Sequence, residues 1–214
     1  QDHVLDLMPY TRTLNKAGAL KPKGPRVKLF PPPGGNAVLR TLAFAFAKPP
    51  EVLEGASEAT KKLGSADLFS NIFDLAEYSP DQSLSVGGLD VVFVPMRHVG
   101  SAYGMRITDG TSVLAYTGDT GACDGLYTLA RDADILLSEA SLKEFDPDTS
   151  GRHGHLTPTE AGQVASRSGA KRLLLTHMSR CDPEWKAEMV ALASAEFDGP
   201  IEAVSPDDRY VLKG

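Results

Sequence analysis

The sequence predicts an α/β fold, a sheet covered by helices, on three observations. Short apolar runs of strand length alternate with helical stretches through the second half of the chain. A capping box with Pro at the first helical position, Thr157-Pro158-Thr159-Glu160, starts a helix between two such runs. His98, Asp119 and His177 each fall near the end of an apolar segment, where sheets of this kind place their sites.

Taken in order, Val4 to Leu14 reads as a short helix. Residues 15–37 are rich in Lys, Gly and Pro, with a strand at Arg26–Phe30 before the turn Pro31-Pro32-Pro33-Gly34-Gly35. Residues 38–63 read as helix in two pieces broken at Pro49-Pro50. Strands are expected at Ser83–Val86 and, after Gly87-Gly88, at Leu89–Val94, delivering His98 beyond the strand end. Met105–Thr108 and Ser112–Tyr116 flank Asp109-Gly110, a two-residue hairpin signal. Ile135-Leu136-Leu137 leads to Glu139, and the helix opened by Thr157 ends at Gly169. Arg172–Thr176 presents His177 at its end. Asp182-Pro183-Glu184 opens a helix to about Ala195, and edge strands are expected at Ile201–Val204 and Tyr210–Leu212.

At 214 residues and 42% hydrophobic, the chain can bury one sizeable core, most simply as a single domain over 1–214. No apolar run reaches the roughly 20 residues of a membrane span, and no secretory leader is visible. Cys123 and Cys181 are the only cysteines and form no Cys-x-x-Cys pair, which favours a reduced, cytoplasmic setting. A net charge of −6 and a pI near 5.4 argue against a broad grip on a nucleic-acid backbone. A small phosphate ester stays allowed.

Histidine and carboxylate are the ligands that borderline divalent metals prefer. Taken singly, a histidine is more often a surface or core residue than a ligand, and Asp119 in Gly-Asp-Thr-Gly is most often a turn or cap. The joint pattern changes this. Asp2-His3, His98, Asp119 and His177 follow one another in the order of the metallo-β-lactamase family, whose opening motif reads His-x-His-x-Asp-His. Only the final Asp-His is present, at residues 2 and 3. Further segments resemble the ribonuclease Z branch of that family: Arg97-His98-Val99-Gly100-Ser101-Ala102-Tyr103-Gly104-Met105-Arg106, Leu137-Ser138-Glu139-Ala140-Ser141 and Gly154-His155-Leu156-Thr157.

The resemblance implies an αββα sandwich whose first strands are missing here, and a native protein that extends upstream through a segment ending His-x-His. It implies two divalent ions, zinc first with manganese or iron as alternatives. Asp119 would bridge them, Asp2, His3 and His177 would serve one, and His98 would serve the other with two upstream histidines. Asp2 is also counted with His155 and Glu139 in the catalytic group. His155 would donate a proton to the leaving alkoxide or steady the phosphorus, with Glu139 holding its tautomer; an ordinary cap or surface carboxylate is the plain alternative for Glu139. His153 matches nothing and reads as a solvated loop residue.

The activity implied is hydrolysis of small phosphodiesters by a metal-activated hydroxide, with 3′,5′-cyclic nucleotides, cyclic AMP above all, as substrates. Ribonuclease Z inserts a long tRNA-gripping arm between the third-motif His and the bridging Asp. Here only 20 residues separate His98 from Asp119, and the hairpin uses most of them. A tRNA 3′-processing nuclease that holds RNA without the arm, through the partner of a homodimer, is the first alternative. A metal-binding or sensing module without turnover is the second. No membrane partner is expected.

Overall fold

The computed structural model describes residues 4–20 and 26–212, without the side chains of residues 149, 150 and 153. One domain over 1–214 is the sequence expectation. By their contacts, the described residues group into two compact units, Gln1–Ser79 and Pro80–Gly214. Each buries an apolar cluster of its own.

The first unit contains α1 (Leu7–Lys16), β1 (Val27–Leu29), α2 (Gly35–Ala45), α3 (Pro50–Leu53), α4 (Glu58–Leu63), α5 (Leu68–Ile72) and β2 (Phe73–Leu75). The helix expected from Val4 starts at Leu7. Residues 38–63 are helical in three pieces, not two, because Pro50 opens a helix where its missing N–H costs nothing. The strand β2 was not legible: it is three residues long and follows directly on a helix. It pairs in parallel with β1, and the Arg26 guanidinium secures the pair by donating to Asp74 and to the carbonyls of Ser70, Asn71 and Phe73. Leu39, Phe69, Ile72 and Phe73 form the buried centre.

The second unit is built on a seven-stranded mixed sheet: β3 (Leu84–Val86), β4 (Leu89–Met96), β5 (Ala102–Thr108), β6 (Val113–Tyr116), β7 (Ile135–Glu139), β8 (Leu173–Thr176) and β9 (Ile201–Ala203), in that spatial order. The first three pairings are antiparallel and the last three parallel. Helices α6 (Gly125–Ala130), α7 (Pro158–Ser168) and α8 (Pro183–Ser194) supply the apolar side chains that cover it. Leu126, Leu129, Leu136, Leu173, Leu175 and Met189 are fully buried there. Helices α7 and α8 approach so closely at Gly162 that a Cβ would sit 2.6 Å from the carbonyl oxygen of Ala193. The α7 capping box forms as expected, and Gly169 ends the helix at φ +70°.

Two local expectations are corrected. The β5–β6 connection is a four-residue loop, since Thr108 pairs with Val113. The Asp109 carboxylate accepts from the N–H groups of Thr111 and Ser112 and from the Thr111 hydroxyl, which stabilises the wider turn over a two-residue one. Those bonds hold the Asp109 carboxyl down to about 2. Tyr210–Leu212 is not a strand. After β9 the chain turns at Ser205–Asp208, where Ser205 N–H donates to the Asp208 carboxylate, and residues 210–212 pair with no strand among the described residues.

The topology gathers four loops at one sheet edge. Strands β6, β7 and β8 are parallel, and β4 runs the same way because two antiparallel steps separate it from β6. The carboxyl ends of β4, β6, β7 and β8 therefore lie together, carrying His98, Asp119, Glu139 and His177.

Candidate metal centre

The loop after β4 is fastened to the loop after β6. Arg97 N–H donates to Thr120 Oγ1 at 3.2 Å and Gly121 N–H returns to the Arg97 carbonyl at 2.9 Å. The Arg97 side chain reaches further, donating to the carbonyls of Ala122 at 3.0 Å and Gly151 at 2.8 Å. The latter belongs to a π-helical turn, Pro147–His153, that leads into His155. Gly154 joins them: its φ is +84°, and a Cβ there would lie 2.2 Å from the Arg97 carbonyl oxygen. Only glycine permits that approach.

Three imidazoles then sit side by side. The His98 and His155 rings are 5.2 Å apart at 72°, and those of His155 and His177 are 5.6 Å apart at 26°. His177 Nε2 faces the Asp119 carboxylate at 3.7 Å. His177 adopts φ +55°, a left-handed conformation that costs a residue with a Cβ of order 1–3 kcal/mol unless its surroundings impose it. Here they do. Ala140 N–H donates to the Thr176 carbonyl, Ser179 Oγ donates to the Ser141 carbonyl, and His177 Nδ1 lies 2.6 Å from Ser141 Oγ.

Glu139, 1% exposed, is the buried hub. Its Oε1 accepts from Thr120 N–H at 2.5 Å, and its Oε2 from Ser141 Oγ at 2.7 Å and Leu156 N–H at 3.2 Å. His155 Nδ1 stands 3.1 and 3.2 Å from the two oxygens. The negative charge is thus dispersed over four donors, as a buried carboxylate requires. Nearby, burial raises the Tyr116 phenol, assisted by the charges of Asp119 and Glu139, so it stays protonated at neutral pH.

The residues fit a divalent ion. Two ligands at about 2.0–2.2 Å from one ion can be no more than about 4.4 Å apart, and His177 Nε2 and Asp119 meet that at 3.7 Å. Glu139, His155 and His177 also offer ligand atoms within 4.8 Å of one another. Both Glu139 oxygens already accept hydrogen bonds, so this carboxylate suits orienting better than ligation.

The beta-lactamase superfamily domain matches residues 2–178. The chain belongs to the β-lactamase superfamily. An uncharacterized protein of Mycobacterium tuberculosis is 38% identical over 176 residues, covering 76% of this chain and 61% of its own length. The chain therefore spans less than two thirds of that relative. YhfI of Bacillus subtilis, described as a probable metallo-hydrolase, is 40% identical over 101 residues, 47% of this chain and 41% of YhfI. The YhfI crystal structure, a metallo-β-lactamase fold, shares the fold with a TM-score of 0.69 at 23% identity, over 95% of this chain and 70% of that one. The ribonuclease Z of Thermobifida fusca is 40% identical over 90 residues, 42% of this chain and 28% of that protein.

Of the residues singled out from sequence, His98, Asp119, Glu139, His155 and His177 are brought to one edge. Asp2 and His3 lie outside the described residues, as does the side chain of His153. Sequence reasoning gave no role to Arg97, Thr120 or Ser141. Ser141 had a usable signal: in an extended segment, residue i+2 faces the same side as Glu139.

Proposed function

We propose that this chain forms a metal-dependent hydrolase site for small phosphodiesters, with 3′,5′-cyclic nucleotides such as cyclic AMP as the favoured class. The observation that carries this reading is the connection between His98 and Asp119. It is spent on β5, β6 and a four-residue loop, leaving no long arm beside the site for a tRNA. The net charge of −6 points the same way, because RNA binding leans on cationic surface.

His98, Asp119 and His177 would hold the metal, with Asp2 and His3 as the further ligands that the family resemblance supplies. Divalent ions there would acidify water to a pKa of about 7 and offset charge on the phosphoryl oxygens. The other roles belong to the chain. Glu139 accepts a hydrogen bond from His155 Nδ1–H, leaving His155 Nε2 to face the cleft. Water adds at phosphorus as the ester P–O bond breaks, and the proton that the water loses passes through His155 Nε2 to the departing alkoxide. Arg97 and Gly154 keep the His98 and His155 loops in register.

The test is turnover of cyclic AMP, bis-p-nitrophenyl phosphate and a precursor tRNA by zinc- or manganese-loaded protein. Hydrolysis of the small diesters with poor tRNA processing is the expected result. Efficient trimming of tRNA 3′ trailers without cyclic-nucleotide hydrolysis would favour the second reading, a ribonuclease Z-like nuclease, which the partial match to the Thermobifida fusca enzyme supports. Tight metal binding with no turnover on any of them would indicate a sensing module.

A further inference from the structure

The Ser141 hydroxyl stands among three site groups: Glu139 Oε2 at 2.7 Å, His177 Nδ1 at 2.6 Å and His155 Nδ1 at 3.3 Å. It is 8% exposed, so little water competes for it. A hydroxyl carries one proton, and its direction is decided by the neighbour that can only accept. An ionised Glu139 is that neighbour. Thr120 N–H and Leu156 N–H also point at its oxygens, as donors to a carboxylate must. The Ser141 proton therefore goes to Glu139, and an Oγ lone pair is left facing His177. A 2.6 Å contact to that lone pair requires the His177 proton on Nδ1. In the neutral imidazole the opposite nitrogen, Nε2, then carries no proton, and it is the one that faces Asp119 at 3.7 Å.

We infer that Ser141 is a positioning residue which relays the Glu139 charge to His177 and holds that imidazole in the Nδ1–H tautomer, its Nε2 lone pair ready for a cation. One buried carboxylate thus sets two histidines: His155 directly and His177 through the hydroxyl. The backbone supports the relay from both ends. Ala140 N–H binds the Thr176 carbonyl, and Ser179, two residues past His177, donates to the Ser141 carbonyl. The inference rests on the reading of His177 as a metal ligand and is independent of which ester is cleaved.

The experiment uses the full chain labelled with 15N-histidine. Long-range proton–nitrogen correlation spectra, recorded well above the ordinary imidazole pKa of about 6.5, report which ring nitrogen of His177 is protonated. The expected result is Nδ1–H in the wild type and a mixture of tautomers in Ser141→Ala. Zinc affinity, measured by competition with a chromogenic chelator, should fall roughly 10–100-fold in Ser141→Ala, the usual effect of losing a partner that orients a ligand. Ser141→Thr, which restores the hydroxyl, should recover it. His177 protonated on Nε2 in the wild type overturns the relay even if Ser141→Ala does not fold. So does a folded Ser141→Ala with wild-type zinc affinity. A relay that behaves as expected in a protein without phosphodiester turnover supports this inference and counts against the proposed substrate class.

Discussion

Replacing Glu139 with Ala would leave Thr120 N–H and Leu156 N–H without their acceptor inside the protein. Each orphaned buried donor costs about 1–3 kcal/mol. Denaturant unfolding should therefore show a clear loss of stability, with Glu139→Gln milder because its amide oxygen still accepts. His155 is expected to behave differently. Its ring is only partly buried, and its hydrogen-bond partners, Glu139 and Ser141, are both at Nδ1. His155→Ala should keep the zinc content and cost less stability than Glu139→Ala while lowering turnover of bis-p-nitrophenyl phosphate by roughly 10²–10⁴-fold, the range of a positioned acid or base. An unchanged rate would return His155 to the role of a loop histidine. Contrasting outcomes at two residues about 3 Å apart would separate the scaffold of the site from its chemistry.

At the scale of elements, α7 matters because its N-cap, Thr157, is two residues beyond His155. The Thr157 hydroxyl accepts from Glu160 N–H, and the Glu160 carboxylate accepts from Thr157 N–H. Thr157→Ala removes the first of these and should destabilise the protein by about 0.5–2 kcal/mol, read by thermal or denaturant unfolding. The cap also fixes where the chain enters the helix, so turnover should fall along with stability. A variant with wild-type stability would show that Pro158 at the first helical position holds the helix start unaided.

Across the second unit, the sheet has a working edge and an opposite, structural one. At the latter, Asp134 accepts from Lys171 Nζ at 2.6 Å and from Val113 N–H at 2.7 Å, tying together the starts of β6, β7 and β8. The Lys171 ammonium, with the Val113 N–H behind it, lowers the Asp134 carboxyl below its ordinary value. A carboxyl lowered in the folded state contributes stability above its unfolded pKa and loses it as pH falls through the folded value. Asp134→Asn should therefore flatten the acid side of the stability profile below the ordinary aspartate pKa of about 3.9. Turnover should not change, because this edge is remote from the carboxyl ends of the strands. A variant with an unaltered acid limb would assign acid unfolding to other carboxylates. No helix among the described residues is long and apolar enough to cross a membrane.

The candidate residues His98, Asp119, Glu139 and His177 were legible in the sequence because they fall at or just past strongly apolar runs, and apolar runs announce strands without reference to the rest of the fold. His98 after β4 and His177 after β8 are of this kind, and the capping box marked the start of α7 just as directly. Short elements were not legible. β2 and the π-helical turn depend on partners distant in sequence, and the Asp109 loop widened because a side chain satisfied its backbone. Tertiary structure alone decided how the site residues face one another. Arg97 meets Gly151 across 54 positions and Ser141 meets His177 across 36. Such bonds exist only once strand order brings four carboxyl ends to one edge, a matter of long-range pairing that no local pattern encodes.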